Sequence, residues 1–186
     1  MKIRTPRFAL ALAGAALALG GTVAVAGDNP MVGGAAMYAN KDIVDNAVNS
    51  KDHTTLVAAV QAAGLVDTLK SAGPFTVFAP TNAAFNKLPA GTVDTLVKPE
   101  NKATLTNILT YHVVPGTMMA GDIAAKAKAN GGKLMLTTVQ GEQITLSMRG
   151  KGWIVTDAKG GTANITIADV KQSNGVIHVI DTVLMP

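Results

Sequence analysis

The hydrophobic period of this chain changes at Gly116, and that change constrains the fold more than any other feature. Before it, apolar residues recur at helical spacing. Ile43, Ala47 and Val48 do so from Asp42 onward. Leu56, Val57, Val60 and Ala63 form a second stripe, with Thr54 as its expected cap and Gly64 where a left-handed C-terminal residue is favoured. "LVDTLKSAG" reads as a short helix ending at Gly73, Thr92 starts another, and Pro99 opens "PENKATLTNIL". A strand interrupts the helices: "FTVFAP" is β-branched, aromatic and bounded by prolines, and Thr81 follows as N-cap to "NAAFNKLP". After Gly116, "KLMLTT", "QITLSM", "WIVTDA", "NITIADV" and "GVIHVIDTVLM" are strand-length segments separated by Gly-rich or polar turns. Helices first and strands second predict an α+β domain, its helices covering a mostly antiparallel sheet.

The N-terminus biases the composition of the whole chain. "MKIRTPR" is basic, the 19 residues from Phe8 to Ala26 carry no charge, and Ala24-Val25-Ala26 gives a small-x-small pattern. That describes a secretory signal peptide over residues 1–26, cleaved near Ala26, with export to a periplasm or the exterior as the expectation. Its strongly apolar part, Phe8 to Leu19, is shorter than the roughly 20 residues a spanning helix needs. Removing Lys2, Arg4 and Arg7 lowers the basic count from 16 to 13 against 12 acids, so the net charge falls from +4 to +1. The alkaline character belongs largely to the leader. Arg149 is then the one arginine left, which argues against nucleic acid, and Lys126, Lys128 and Lys133 read as a solvated face. Residues 27–39 read as a small, Gly-rich flexible lead-in, and residues 40–186 as one domain. The absence of cysteine excludes disulfides, thiolate metal sites and a lipid-carrying Cys. No later segment is long and apolar enough to span a membrane.

The inventory for catalysis is thin. Ser50, Ser71, Ser147 and Ser173 lie outside any G-x-S-x-G elbow, Glu100 and Glu142 are the only glutamates, and no metalloprotease, phosphate-binding or dinucleotide motif is present. "RGKGW" reads as a turn between strands. His53, in the polar "SKDHTT", is expected at the surface. His112 in "TYHVV" and His178 in "VIHVI" sit among aliphatic residues and are expected in strands, His112 sharing a face with Thr110 and Val114. With Asp122 or Asp181 they offer a few metal donors, yet zinc sites need three or four convergent ligands, so the expectation is no metal and no cofactor. Each ring then reads as neutral and bonded at both nitrogens, with partner contact second and catalysis last. Asn164-Ile165-Thr166 matches the glycosylation sequon, in a strand-like setting that favours packing over modification.

Three segments together, "GPFTVFAPTNAAFNKLP" (Gly73 to Pro89), "TYHVVPG" (Thr110 to Gly116) and "SNGVIHVIDTVLMP" (Ser173 to Pro186), resemble the fasciclin domain family. The match runs from about Asn40 to the C-terminus and is similar to a single-domain secreted bacterial member. The resemblance implies helices packed on a wedge of β-strands. In that setting Phe78 and Phe85 enter the core, Thr81 caps a helix, Asn82 bonds neighbouring backbone, Asn174-Gly175 launches the strand carrying His178, and Asp181 fixes a backbone or hydroxyl group.

The resemblance also implies function: adhesion or protein contact rather than chemistry. In animal relatives the Tyr-His region and an Asp-Ile pair ahead of the last strand are implicated in integrin binding. The matching pair here is Asp169-Val170, with the isoleucine replaced, so a bacterial surface or host partner is expected instead. "NKDIV" at Asn40 to Val44 reads as a helix start. The candidate contact residues are Tyr111, His112, Met118, Met119, Asp169 and Val170, for a protein, matrix or cell-surface partner, with weak self-association as an added contact. The alternatives are an envelope small-ligand carrier or hydrolase using the Tyr-His region, and a purely structural role in the envelope or a matrix. The exposure of Tyr111 and His112 separates support from contact.

Overall fold

The computed structural model describes residues 29–186, so the expected signal segment and its cleavage point lie outside the described residues. The helices are α1 (Ile43–Ala47), α2 (Thr54–Ala63), α3 (Val66–Lys70), α4 (Asn82–Phe85), α5 (Thr92–Leu96), α6 (Lys102–Tyr111) and α7 (Ala120–Ala129). The strands are β1 (Met31–Val32), β2 (Ala35–Ala36), β3 (Phe75–Pro80), β4 (Val113–Pro115), β5 (Lys133–Thr137), β6 (Gln143–Arg149), β7 (Gly152–Thr156), β8 (Thr162–Gln172) and β9 (Gly175–Ile180). Strands β3 to β9 form one sheet in the order β4-β3-β9-β8-β7-β6-β5. β3 and β9 run parallel, and the other pairings are antiparallel. The α+β arrangement read from the change of period is the one that forms.

The parallel pair explains the unbroken apolar runs of β3 and β9, because a strand covered on both faces cannot alternate apolar with polar. Val77, Ala79, Ile177 and Val179 point to one face, where Ile43, Leu56, Val60, Leu105 and Leu109 of the helices cover them. Phe78 and Ile180 point to the other, into a second cluster with Ile123, Ile144, Leu146 and Val155. That second cluster exists because the sheet folds over itself. β8 pairs with β7 through residues 162–164 and with β9 through residues 165–172, and its register slips between Ile165 and Ile167 and again between Ile167 and Val170. Such slips bend a strand and increase its twist. The result is a wedge of strands closed by α7.

Several local expectations change. α7 was hidden, because "AGDIAAKAKA" places only Ile123 and Ala127 in the core and alanine gives little periodic contrast. Thr54 is the first residue of α2 rather than its cap, and its hydroxyl bonds Asn82 Oδ1 instead, at 3.2 Å. Residues within 29–39, read as loose, carry the β1–β2 hairpin, with Val32 and Met37 buried against the helical cluster. His53 is buried, not exposed, since the 3-10 turn at residues 51–53 rotates it under α2. His112 is not in a strand: it is the C-cap of α6, one residue before β4.

Candidate functional site

The connection from β4 to α7, residues 116–120, gathers more of the singled-out residues than any other part of the molecule. Its course is set by side chains from three strands and by Asp122 of α7, whose Oδ2 accepts from Met119 N at 3.1 Å. Thr76 Oγ1 donates to Gly116 O at 2.6 Å and accepts from Met118 N at 2.9 Å. The ring of His178 donates through Nε2 to Met118 O at 2.8 Å, while Nδ1 accepts from Asp169 N at 3.3 Å. Asp169 Oδ1 accepts from Ala120 N, the first residue of α7, at 2.6 Å. Asp169 can do this because it sits at a slip in β8 with φ +61°, a left-handed conformation that Asp tolerates better than most residues. Beneath it Phe78 stacks on His178, with ring centroids 5.6 Å apart.

Tyr111 and His112 hold the neighbouring corner. Tyr111 is fully buried, its hydroxyl donating to Gln143 O at 3.1 Å and accepting from Ala158 N at 2.9 Å. Those bonds tie the end of α6 to β6 and to the turn after β7. His112 Nδ1 donates to Ile108 O at 2.8 Å, and Nε2 accepts from Leu184 N at 3.0 Å, which anchors the C-terminal segment. Each histidine is thereby fixed as one neutral tautomer, opposite in the two rings. Burial depresses both pKa values: His112 falls from 6.5 to about 4, and His178 falls against the opposing pull of the Met118 carbonyl and Asp169. Burial likewise raises Tyr111 above its ordinary value.

The remaining predicted residues are elsewhere. Thr81 caps α4, accepting from Ala84 N at 3.2 Å. Asn82 bonds backbone distant in sequence, accepting from Thr55 N and donating to Lys51 O. Asp181 accepts from the Asn164 backbone and side-chain amides, both at 2.8 Å, so the sequon asparagine is already engaged. Val170 is buried in the helical cluster, one residue from Asp169 but facing away from residues 116–120. Asn46 and Gln172 went unnoticed in the sequence. They meet in the interior, where Asn46 also pairs with Tyr38 N and O. Asn46 shares the helix face of Ile43, and a polar residue at that position was the available signal.

Beside residues 116–120 a shallow groove of about 640 Å³ opens, lined by Gly73, Pro74, Thr117, Met119, Lys171 and Ser173 among others. Met118 is buried, whereas Met119 is half-buried on this rim and Thr117 and Lys171 are exposed. Among the described residues, no three histidine, aspartate or glutamate side chains converge as metal ligands, and no helix is long and apolar enough to cross a membrane. With both nitrogens of His112 and His178 bonded to backbone, neither ring is free to shuttle a proton. The arrangement can hold a surface in shape.

The fasciclin domain family model matches residues 51–186. Protein sll1483 of Synechocystis is 48% identical over 145 residues, which cover 77% of this chain and 73% of that protein. The immunogenic protein MPT70 of Mycobacterium tuberculosis is 40% identical, covering 75% of this chain and 66% of its own length. The transforming growth factor-beta-induced protein ig-h3 of Sus scrofa is 39% identical, but the match spans 19% of it. A FAS1 domain pair from the insect cell adhesion molecule fasciclin I superposes with a TM-score of 0.69 at 18% identity, over 78% of this chain and 51% of that one, a likeness of fold. The chain belongs to the fasciclin domain family.

Proposed function

We propose that this fasciclin-family chain is an exported, non-enzymatic interaction module that presents the groove beside residues 116–120 to a protein or cell-surface partner. The observation that carries the reading is the full internal engagement of Tyr111, His112 and His178. Hydrolysis by the Tyr-His pair needs a ring nitrogen able to take up a proton near neutral pH, and burial holds His112 far below that range. In this reading Tyr111, His112, Met118 and Val170 act as supports, Asp169 fixes the start of α7, and Thr117, Met119 and Lys171 make the contacts. Methionine suits such a rim, since its flexible thioether adapts to different apolar partners. Export rests on the N-terminal pattern and agrees with relatives such as the cell surface glycolipoprotein MPB83, 36% identical over 172 residues.

The test is binding of the mature domain to immobilised envelope and extracellular-matrix preparations. Met119→Glu and Lys171→Glu are each expected to weaken capture by about tenfold, equivalent to roughly 1.4 kcal/mol. Met135→Glu, an exposed methionine on β5, is expected to leave it unchanged. Capture that is absent in the wild type, or reduced equally by Met135→Glu, would sink the reading.

A further inference from the structure

The apolar face of β6 and β7 runs past the end of its cover. Leu146 and Val155 pair across these strands and are fully buried in the cluster that α7 closes. Met148 and Trp153 are the next pair on that face, yet Met148 is 58% exposed and Trp153 only half-buried. A two-residue turn, Gly150-Lys151, then makes a narrow tip, with Gly150 at φ +63°. The same end of the sheet is basic. Lys133 faces Ser147 in the β5–β6 register, so the residues preceding it leave the sheet beside Met148 and Arg149. Gly132 N donates to Ala127 O at 2.8 Å, which brings the end of α7 and Lys128 to the same place. Lys126 turns away, its Nζ 3.6 Å from Met118 Sδ.

Lys128, Lys133, Arg149 and Lys151 are all exposed, and among the described residues none of them joins an ion pair. Counter-charges lie elsewhere. Between Ile123 and Thr156 the one acid is Glu142, in the turn at the opposite end of the β5–β6 pair. Asp122 accepts from Met119 N and Asp169 from Ala120 N, both at the far end of α7. Unpaired cations around an exposed methionine and a half-buried tryptophan match the layers of an anionic bilayer. Headgroup phosphates attract the cations, and the outer 5–10 Å or so of the interface accepts a thioether and an indole. A soluble polyanion would use the charges and leave Met148 in water. We propose that the β6–β7 tip and the adjoining end of α7 dock on a bilayer containing anionic phospholipid, with Met148 and Trp153 entering the headgroup region between the four cations. α7 has ten residues, so its ends lie about 15 Å apart, and a bilayer at its C-terminal end leaves the groove beside residues 116–120 open.

The probe is a vesicle of equal parts phosphatidylglycerol and phosphatidylcholine, titrated into the mature protein so that the basic, apolar leader contributes nothing. Trp153 is the single tryptophan, so its emission reads the tip directly and should shift to the blue and saturate. Vesicles of phosphatidylcholine alone should give no shift. Raising the salt from about 0.1 M to about 1 M shortens the screening length from about 10 Å to about 3 Å and should remove most of the binding. Arg149→Gln with Lys151→Gln should weaken binding about 25-fold, at about fivefold per charge. Met148→Ser, with the charge unchanged, should weaken it about fivefold. Lys98→Gln with Lys102→Gln makes the same charge change on exposed residues of the helical half and should leave binding unchanged. A wild type without a shift would overturn the proposal, as would equal losses from the two double variants. Met148→Ser binding as the wild type does would also overturn it, since the charges would then serve a soluble polyanion.

Discussion

Lowering the pH from 7 to 5 should destabilise this domain through His112, above the range in which ordinary carboxylates titrate. In the folded chain His112 has a pKa of about 4, against 6.5 when solvated, because burial disfavours the charged ring. Its Nε2 also faces the Leu184 N–H at 3.0 Å, so a proton added there removes an acceptor and sets two donors against each other. A folded pKa below the unfolded one means that the unfolded chain binds the proton first. Stability from this group is therefore fully present above about pH 6.5, falls as the pH drops towards 4, and is flat below that. The shift corresponds to about 3 kcal/mol in full and about 2 kcal/mol by pH 5. His178 and His53 are depressed in the same direction and add to the wild-type loss, so the His112 share must be isolated by difference. His112→Gln supplies that difference. The amide keeps an acceptor for Leu184 N–H, loses the donor to Ile108 O at a cost of about 1–3 kcal/mol at pH 7, and does not titrate. Urea unfolding at pH 7, 6 and 5, followed by fluorescence of the single Trp153, gives both slopes. The variant should lose about 2 kcal/mol less than the wild type between pH 7 and 5. Equal losses would refute the assignment of a buried, neutral His112.

Two further outcomes test the β8 and β9 geometry. Asp169→Ala removes the bond to Ala120 N but keeps a side chain at φ +61°, whereas Asp169→Gly loses the bond and relieves the backbone. The alanine variant should be less stable than the glycine variant by about 1 kcal/mol, read from denaturation midpoints. In Gly175→Ala the added methyl would stand 2.1 Å from Phe75 O on the adjacent parallel strand, so the protein should show no cooperative unfolding transition. Gly121→Ala, with nothing within 4 Å, should be neutral or stabilise α7 by up to about 1 kcal/mol in the same assay.

What was legible in the sequence follows from where side-chain pattern and structure coincide. Phe75–Pro80 and Gly175–Ile180 read as strands because burial on both faces leaves an uninterrupted apolar run. Thr81 and Gly64 read as helix ends because caps act locally: one accepts from Ala84 N, the other adopts φ +71°. Local reasoning failed where the deciding contact came from a distance. Tyr111 and His112 look like strand residues beside two valines, yet α6 runs to Tyr111, and bonds to Gln143, Ala158 and Leu184 fix the pair. His53 looks exposed among Lys51, Asp52 and Thr54, until the helical cluster encloses it. Helix α7 escaped because an alanine-rich stripe against the second cluster needs only one isoleucine to dock.

The three segments that carry the family resemblance are far apart in sequence but adjacent in space. Residues 73–89 supply β3, residues 110–116 supply β4, residues 173–186 supply β9, and β3 lies between the other two in the sheet. Their shared character therefore has a packing cause: the central strand is covered on both faces, and Thr76, His112 and His178 fix its surroundings through backbone groups. A side chain in that position is constrained by the fold whatever the domain binds. The groove side chains Thr117 and Lys171 contribute none of the bonds that hold residues 116–120 in place, whereas Met119 is the N-cap of α7 and its N–H donates to Asp122 Oδ2 at 3.1 Å. Thr117 and Lys171 can therefore change without altering the scaffold. Partner specificity in this chain should accordingly follow the rim of the groove, while substitutions in the signature strands should change stability first and binding only through it.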